Sequence, residues 1–112
     1  MADFVYLVTT DALGQGDRAL GKKLIGNFFR LLAEQEPLPV AVFLMNAGVK
    51  LAAAGSPVIN HLRKLEERRV EILSCQTCVN YYGLERDIAV GLVQGMTDLL
   101  ALAARYRVIT IA

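Results

Sequence analysis

Residues 55–78 read GSPVINHLRKLEERRVEILSCQTC, and this stretch decides the fold. Gly55-Ser56-Pro57 predicts a helix start, with Ser56 as N-cap and Pro57 at the first helical position, where a missing N–H is tolerated. Ile59, Leu62 and Leu65 recur at a spacing that lines one helix face, and the helix ends near Arg69. Residues 70–74 then form a short apolar strand. Cys75 and Cys78 follow it directly, the only two cysteines of the chain. A helix feeding a buried strand, with thiols at the strand's carboxyl end, is the signature of a β-α alternating chain with a site at one sheet edge.

The flanks repeat the alternation. Phe4 to Val8 is a continuous apolar run and predicts a buried strand. Thr9 to Gly16 is a loop, Asp17 is the next N-cap, and Leu20, Leu24, Phe28, Leu31 and Leu32 recur at helical spacing to about Glu34. Val40 to Leu44 predicts a second buried strand, Asn46-Ala47-Gly48 a turn, and Val49 to Ala54 a short helical piece. Beyond the thiols, a fourth strand is expected near 89–93. A helix follows over Met96–Arg105, with Leu99, Leu100 and Leu102 turned partly inward, and a last strand over 107–111. The expected fold is α/β, a parallel sheet with helices on both faces. The carboxyl ends of the strands deliver four loops to one edge, at 9–16, 46–50, 75–78 and 94–96, and ligands gather at such edges.

Composition narrows the function. The 112 residues carry twelve basic and eleven acidic side chains, a net charge of +1. That balance argues against nucleic acid held by phosphate contacts, because such binding needs a basic stripe. No apolar run reaches membrane-spanning length. The start, Met1-Ala2-Asp3, lacks the basic region of a secretory signal. Two cysteines this close make a poor staple, so a reduced, cytoplasmic protein is expected. The chain is 54% hydrophobic with a mean hydropathy of +0.40, which predicts apolar surface left for assembly into a homo-oligomer.

Other chemistries are poorly supplied. Zinc wants four nitrogen or sulfur ligands, and one chain offers two cysteines and His61, which reads as a surface residue. Gly14-Gln-Gly16-Asp-Arg-Ala19 matches G-x-G-x-x-A in form, but it starts too far from the first strand, and the second strand ends at Asn46 rather than an acidic residue. It reads as a loop and helix cap. Tyr81 and Tyr82 read as packing residues. The one histidine leaves no partner set for a nucleophilic serine. No metal or cofactor is expected. Chemistry rests on the thiols: a strand-end cysteine can meet unpaired N–H groups of the following turn, which favour thiolate.

Several motifs occur together in order: Gly14-Gln-Gly-Asp before a helix, Asn46-Ala-Gly-Val-Lys50-Leu, Gly55-Ser56, Cys75-Gln-Thr-Cys78 with Tyr82-Gly83-Leu84, and Gly91 with Met96. In this the chain resembles the DsrE/DsrF-like sulfur-transfer family, and most nearly the C-terminal domain of the YedF proteins associated with selenium metabolism. The resemblance implies a single DsrE-like domain over residues 1–112, a three-layer α/β/α fold with five mainly parallel strands, and assembly as a trimer or hexamer. It also implies a sulfur carrier or sulfurtransferase that holds sulfur as a cysteine persulfide between a donor and an acceptor protein. The family cysteine precedes a glycine by about eight residues, which fits Cys75 and Gly83 and makes Cys75 the primary thiol and Cys78 its neighbour. Asn46, Gly48 and Lys50 would shape the substrate pocket, with Lys50 adding positive charge. Relatives tend to carry glycine where this chain has Arg69, and asparagine where it has Gly95. Two alternatives remain at this point: a thiol–disulfide redox protein using Cys75 and Cys78, and a non-catalytic oligomeric binding module.

Overall fold

A computed structural model describes residues 2–112. The elements run β1 (Phe4–Val8), α1 (Arg18–Leu32), β2 (Ala41–Leu44), a 3₁₀ segment (Asn46–Ala52), α2 (Ile59–Glu67), β3 (Glu71–Cys75), α3 (Gln76–Tyr81), β4 (Leu92–Gln94), α4 (Met96–Arg105) and β5 (Arg107–Ile111). The five strands form one sheet in the order β4-β3-β2-β1-β5, and every pairing is parallel. The expected α/β fold is therefore the one observed, with helices flanking a wholly parallel sheet.

The order explains the layering. The chain steps from β1 to β4 in one direction and then returns across the whole sheet to β5. Right-handed crossovers put α1, α2 and α3 on one face and α4 on the other. Side chains agree. Tyr6 of β1 meets Phe28 of α1 edge-on at 5.5 Å, whereas Glu71 and Leu73 of β3 line a cavity with Ala101, Leu102 and Arg105 of α4. The core between the layers holds Val5, Ile25, Phe29, Val42, Phe43, Leu44, Leu62, Leu65 and Ile72, all at 1% exposure or less. Adjacent strands β3 and β4 send their following helices to opposite faces. That leaves a crevice beyond their carboxyl ends, where Cys75 stands in register with Gln94.

Several local expectations shift. Asp17 caps α1 as read, accepting the Leu20 N–H at 2.9 Å. The buried stripe of α1, however, is Gly21, Ile25, Phe29 and Leu32, one residue round from the leucines, and Leu20, Leu24 and Leu31 stand 54%, 43% and 49% exposed. On α4, Leu99 is buried but Leu100 faces solvent. Ser56 does not cap α2: its Oγ accepts the Val58 N–H within a turn, and the helix starts at Ile59. The 3₁₀ segment begins at Asn46, a turn earlier than expected. The fourth strand begins at Leu92 because the run before it is committed elsewhere. Ile88 bridges Ala53 antiparallel, and Gly91 turns the chain at φ +78° against Ile72, where a Cβ would lie 2.3 Å from the carbonyl oxygen.

The end of α2 is a Schellman motif. Arg69 N–H reaches Glu66 O at 2.9 Å and Val70 N–H reaches Leu65 O at 3.0 Å, with Leu65 and Val70 both buried. Helix α3 ends the same way, through Gly83 N–H to Asn80 O and Leu84 N–H to Val79 O. The left-handed position is glycine in α3, at φ +66°, but arginine in α2, at φ +69°. A Cβ in that conformation costs about 1–2 kcal/mol. Arg69→Gly should therefore stabilise the protein by about 1 kcal/mol, part of the gain being offset by the greater freedom of glycine in the unfolded chain. A higher urea midpoint at unchanged slope is the expected result, and a lower one would show that the arginine side chain outweighs its backbone strain.

Candidate functional site

The carboxyl ends of β2 and β3 bring four side chains together. Asn46, the first residue after β2 and Met45, takes the left-handed conformation at φ +52°, which asparagine tolerates better than most residues. This turn aims its backbone N–H at Cys78 Sγ, 3.1 Å away. Its side-chain Oδ1 accepts the Tyr82 hydroxyl at 2.9 Å. Lys50, one turn along the 3₁₀ segment, places Nζ 4.6 Å from the Tyr82 ring centroid, a cation–π contact. Cys78 and Tyr82 stand four residues apart in and just beyond α3, so both face the 3₁₀ segment.

Gly48 holds this arrangement in place. A Cβ there would lie 2.3 Å from Val8 O and 3.1 Å from Val8 C. Only glycine lets the segment pass so close to the end of β1. Its sequence reading as a pocket-shaping residue thus acquires a specific physical content, the close approach of two backbones.

The two thiols differ in exposure. Cys75 is the last residue of β3 and the residue before α3, and it is 2% exposed. Its side chain makes no capping hydrogen bond to α3, so the expected contact with the following turn is absent, and the sulfur–amide bond falls instead to Cys78. Cys78 is half-buried and free. Its pKa lies above the ordinary thiol value. Burial is the main cause, opposed by the Asn46 N–H and reinforced by the adjoining Cys75 thiol.

The structure therefore brings Cys78, Asn46 and Lys50 into one linked set through Tyr82, with Gly48 beneath and Cys75 behind. Lys50 lies over the Tyr82 ring rather than in a contact with sulfur. Tyr82 is the residue sequence reasoning missed. The available signal was its i+4 spacing from Cys78, which puts two side chains on one helix face. Tyr81, read as a packing residue, is 85% exposed. Among the described residues, no three or more histidine, cysteine or acidic side chains cluster as metal ligands. Among the same residues, no helix is long and apolar enough to cross a membrane.

The chain belongs to the DsrE/DsrF-like family, whose sequence profile matches residues 4–111. Curated proteins provide no match. Solved structures share the fold at low identity. The YchN protein of E. coli is 19% identical with a TM-score of 0.72, covering 99% of this chain and 100% of its own. MTH1491 of Methanobacterium thermoautotrophicum, a protein of unknown function, is 18% identical with a TM-score of 0.69, over 98% and 99% of the two chains. BT1422 of Bacteroides thetaiotaomicron is 18% identical with a TM-score of 0.67, over 97% and 95%. Family membership supports a role of the sulfur-relay type.

Exposure and the raised pKa make a testable pair. Thiolate is the reactive form, so Cys78 alkylation by iodoacetamide should be slow at neutral pH and rise about tenfold per pH unit, without levelling before the ordinary thiol pKa of about 8.5. Quenched samples read by peptide mass should show Cys78 modified well before Cys75. A plateau near pH 7, or preferential labelling of Cys75, would contradict this account of the site.

Proposed function

We propose that this protein is a sulfur carrier that takes sulfane sulfur onto its Cys75–Cys78 site and passes it to an acceptor protein. The observation that carries the reading is Cys78, a free, partly accessible thiol held by the Asn46 N–H at the carboxyl edge of a parallel sheet. Family membership supports it. Exposure reverses the order in which the two thiols are expected to act, so Cys78 meets the donor and Cys75 stands behind it.

In this reading the Cys78 thiolate attacks the outer sulfur of a donor persulfide. The donor's S–S bond breaks, its inner sulfur leaves as thiolate, and Cys78–S–SH forms. The Asn46 N–H remains within reach of the original Sγ, and Lys50 supplies positive charge near the loaded sulfur. An acceptor thiolate then attacks the outer sulfur and regenerates the Cys78 thiolate. Cys75 provides a competing route. Its attack on the inner sulfur of Cys78–S–SH gives a Cys75–Cys78 disulfide and releases hydrosulfide, and its attack on the outer sulfur moves the persulfide to Cys75.

The resemblance to YedF proteins adds selenium as a second chalcogen for the same thiol. It also supports a trimer or hexamer, for which the exposed Leu20, Leu24 and Leu31 of α1 provide apolar surface. Light scattering should therefore give a mass three or six times the 12.3 kDa chain at micromolar concentration. A mass of one chain would remove assembly from the proposal.

Loading tests the carrier reading. Reduced protein is incubated with a persulfide donor, and intact mass is followed for gain of one sulfur. Cys78→Ser should abolish loading. Cys75→Ser should load as the parent does and keep its persulfide several-fold longer, because the internal attack is gone. Loading lost only in Cys75→Ser would restore Cys75 as the primary carrier. Unchanged loading in both variants would exclude this site as the carrier.

A further inference from the structure

A cavity of about 240 Å³ shares Lys50 with the thiol site and is lined by Asp11 of the loop after β1, Lys22 and Ile25 of α1, and Lys50, Leu51 and Ser56. Its charge is unbalanced. Both carboxylate oxygens of Asp11 are taken by Arg18, at 2.9 and 3.1 Å. Lys22 and Lys50 have no ion-pair partner among the described residues. The cavity wall thus carries two unpaired ammonium groups and one carboxylate already neutralised by Arg18. Ile25 and Leu51, 1% and 3% exposed, supply an apolar floor, while the Ser56 hydroxyl accepts the Val58 N–H and keeps its own proton to donate. Lys50 belongs to both places: it lines the cavity and also sits over Tyr82, whose hydroxyl reaches Asn46 and, through it, Cys78.

We propose that this cavity receives the carboxylate of a small-molecule persulfide whose outer sulfur is delivered to Cys78. The proposal rests on the carrier reading and names the donor class. The volume falls below the roughly 300–1,000 Å³ of pockets that hold drug-sized ligands, which points to a ligand of a few carbons rather than a nucleotide. Two flexible ammonium groups over an apolar floor match a carboxylate on a short alkyl chain. The one guanidinium fork nearby, the group suited to phosphate, is already engaged by Asp11. The step balances without any further oxidant. Cys78–S⁻ and R–S–SH give Cys78–S–SH and R–S⁻; the bond between the donor's two sulfurs breaks and the outer sulfur keeps its proton.

A matched pair of donors tests this: the persulfides of 3-mercaptopropionate, an anion, and of 2-mercaptoethanol, which is neutral. Initial loading rates by quenched-flow mass spectrometry should show a lower KM for the anion. The Lys22→Gln variant should raise that KM about threefold with little change in kcat, and leave the neutral donor within about twofold. Added salt should raise the KM of the anion alone. Binding is read separately from the amide shifts of residues 22 and 50 on titration with 3-(methylthio)propionate, which cannot transfer sulfur. Equal KM values for the two donors in the parent, an equal effect of Lys22→Gln on both, or no shifts would overturn the proposal. If neither small donor loads the protein while a persulfidated protein does, the donor assignment fails and the carrier reading stands. If no donor loads it, both fail.

Discussion

The site depends on a close approach of backbones: the 3₁₀ segment passes the end of β1 where only glycine fits. Gly48 meets Val8 O with no room for a Cβ, and Met45 N–H bonds the same carbonyl at 2.9 Å. These contacts tie the end of β2 and the start of the 3₁₀ segment to the end of β1. Asn46 lies between the two tethered residues, so its left-handed turn is set by the neighbours on either side. Its N–H and its side-chain oxygen then have fixed directions, one toward Cys78 and the other toward Tyr82. A residue with a Cβ at 48 would push the segment off β1 and misdirect both bonds, so the geometry of the thiol is decided some 30 positions upstream of it in the chain.

The sheet supplies rigidity on one side and surface on the other. Its three middle strands are covered and carry the core. The edge strands are not: Leu92 of β4 is 61% exposed, and Val108 and Ile109 of β5 are each 37% exposed. Neither edge strand carries proline, which natural sheets often use to block pairing, and β5 carries a single charged residue, Arg107, at its start. Together with the leucine stripe of α1, this leaves apolar surface on several sides of the molecule, while the thiol edge exposes Asn46, Lys50, Gln76 and Asn80 beside the Tyr81 ring.

Much of this was legible in the chain, and the failures have physical causes. The five strands and the main helices could be read because continuous apolar runs and helical spacing report burial directly. Which stripe of α1 is buried could not, because leucines lie on both sides of that helix, and only packing against the sheet chooses Ile25 and Phe29. The apolar run at 89–93 reads as a strand, yet the pairing of the neighbouring Ile88 with Ala53 and the turn at Gly91 delay the strand to Leu92. The departure at Arg69 was visible as a missing glycine, and the left-handed backbone there gives it a reason. At the site, the residue types were legible but their relations were not. Spacing to a glycine favours Cys75, whereas accessibility favours Cys78, and accessibility depends on how β3 is buried by its neighbours.

A thiol with a raised pKa is at first sight a poor choice for sulfur chemistry, since little of it is ionised at neutral pH. Two considerations answer this. Nucleophilicity of a thiolate rises with its pKa, so the small ionised fraction is more reactive, which offsets part of the loss. A persulfide is also more acidic than its parent thiol, so loading changes which species the site holds. Burial of Cys78 disfavours charge on Sγ itself, and in the proposed carrier the outer sulfur of Cys78–S–SH would lie one bond further from the buried atom. The surroundings of the thiol thus favour its protonated form. Cys75 adds to the asymmetry: its adjoining thiol raises the pKa of Cys78, while Cys75 itself is buried out of reach of a bulky partner. A carrier of the proposed kind needs a thiol that is quiet when empty, and the burial that raises the pKa of Cys78 meets that need.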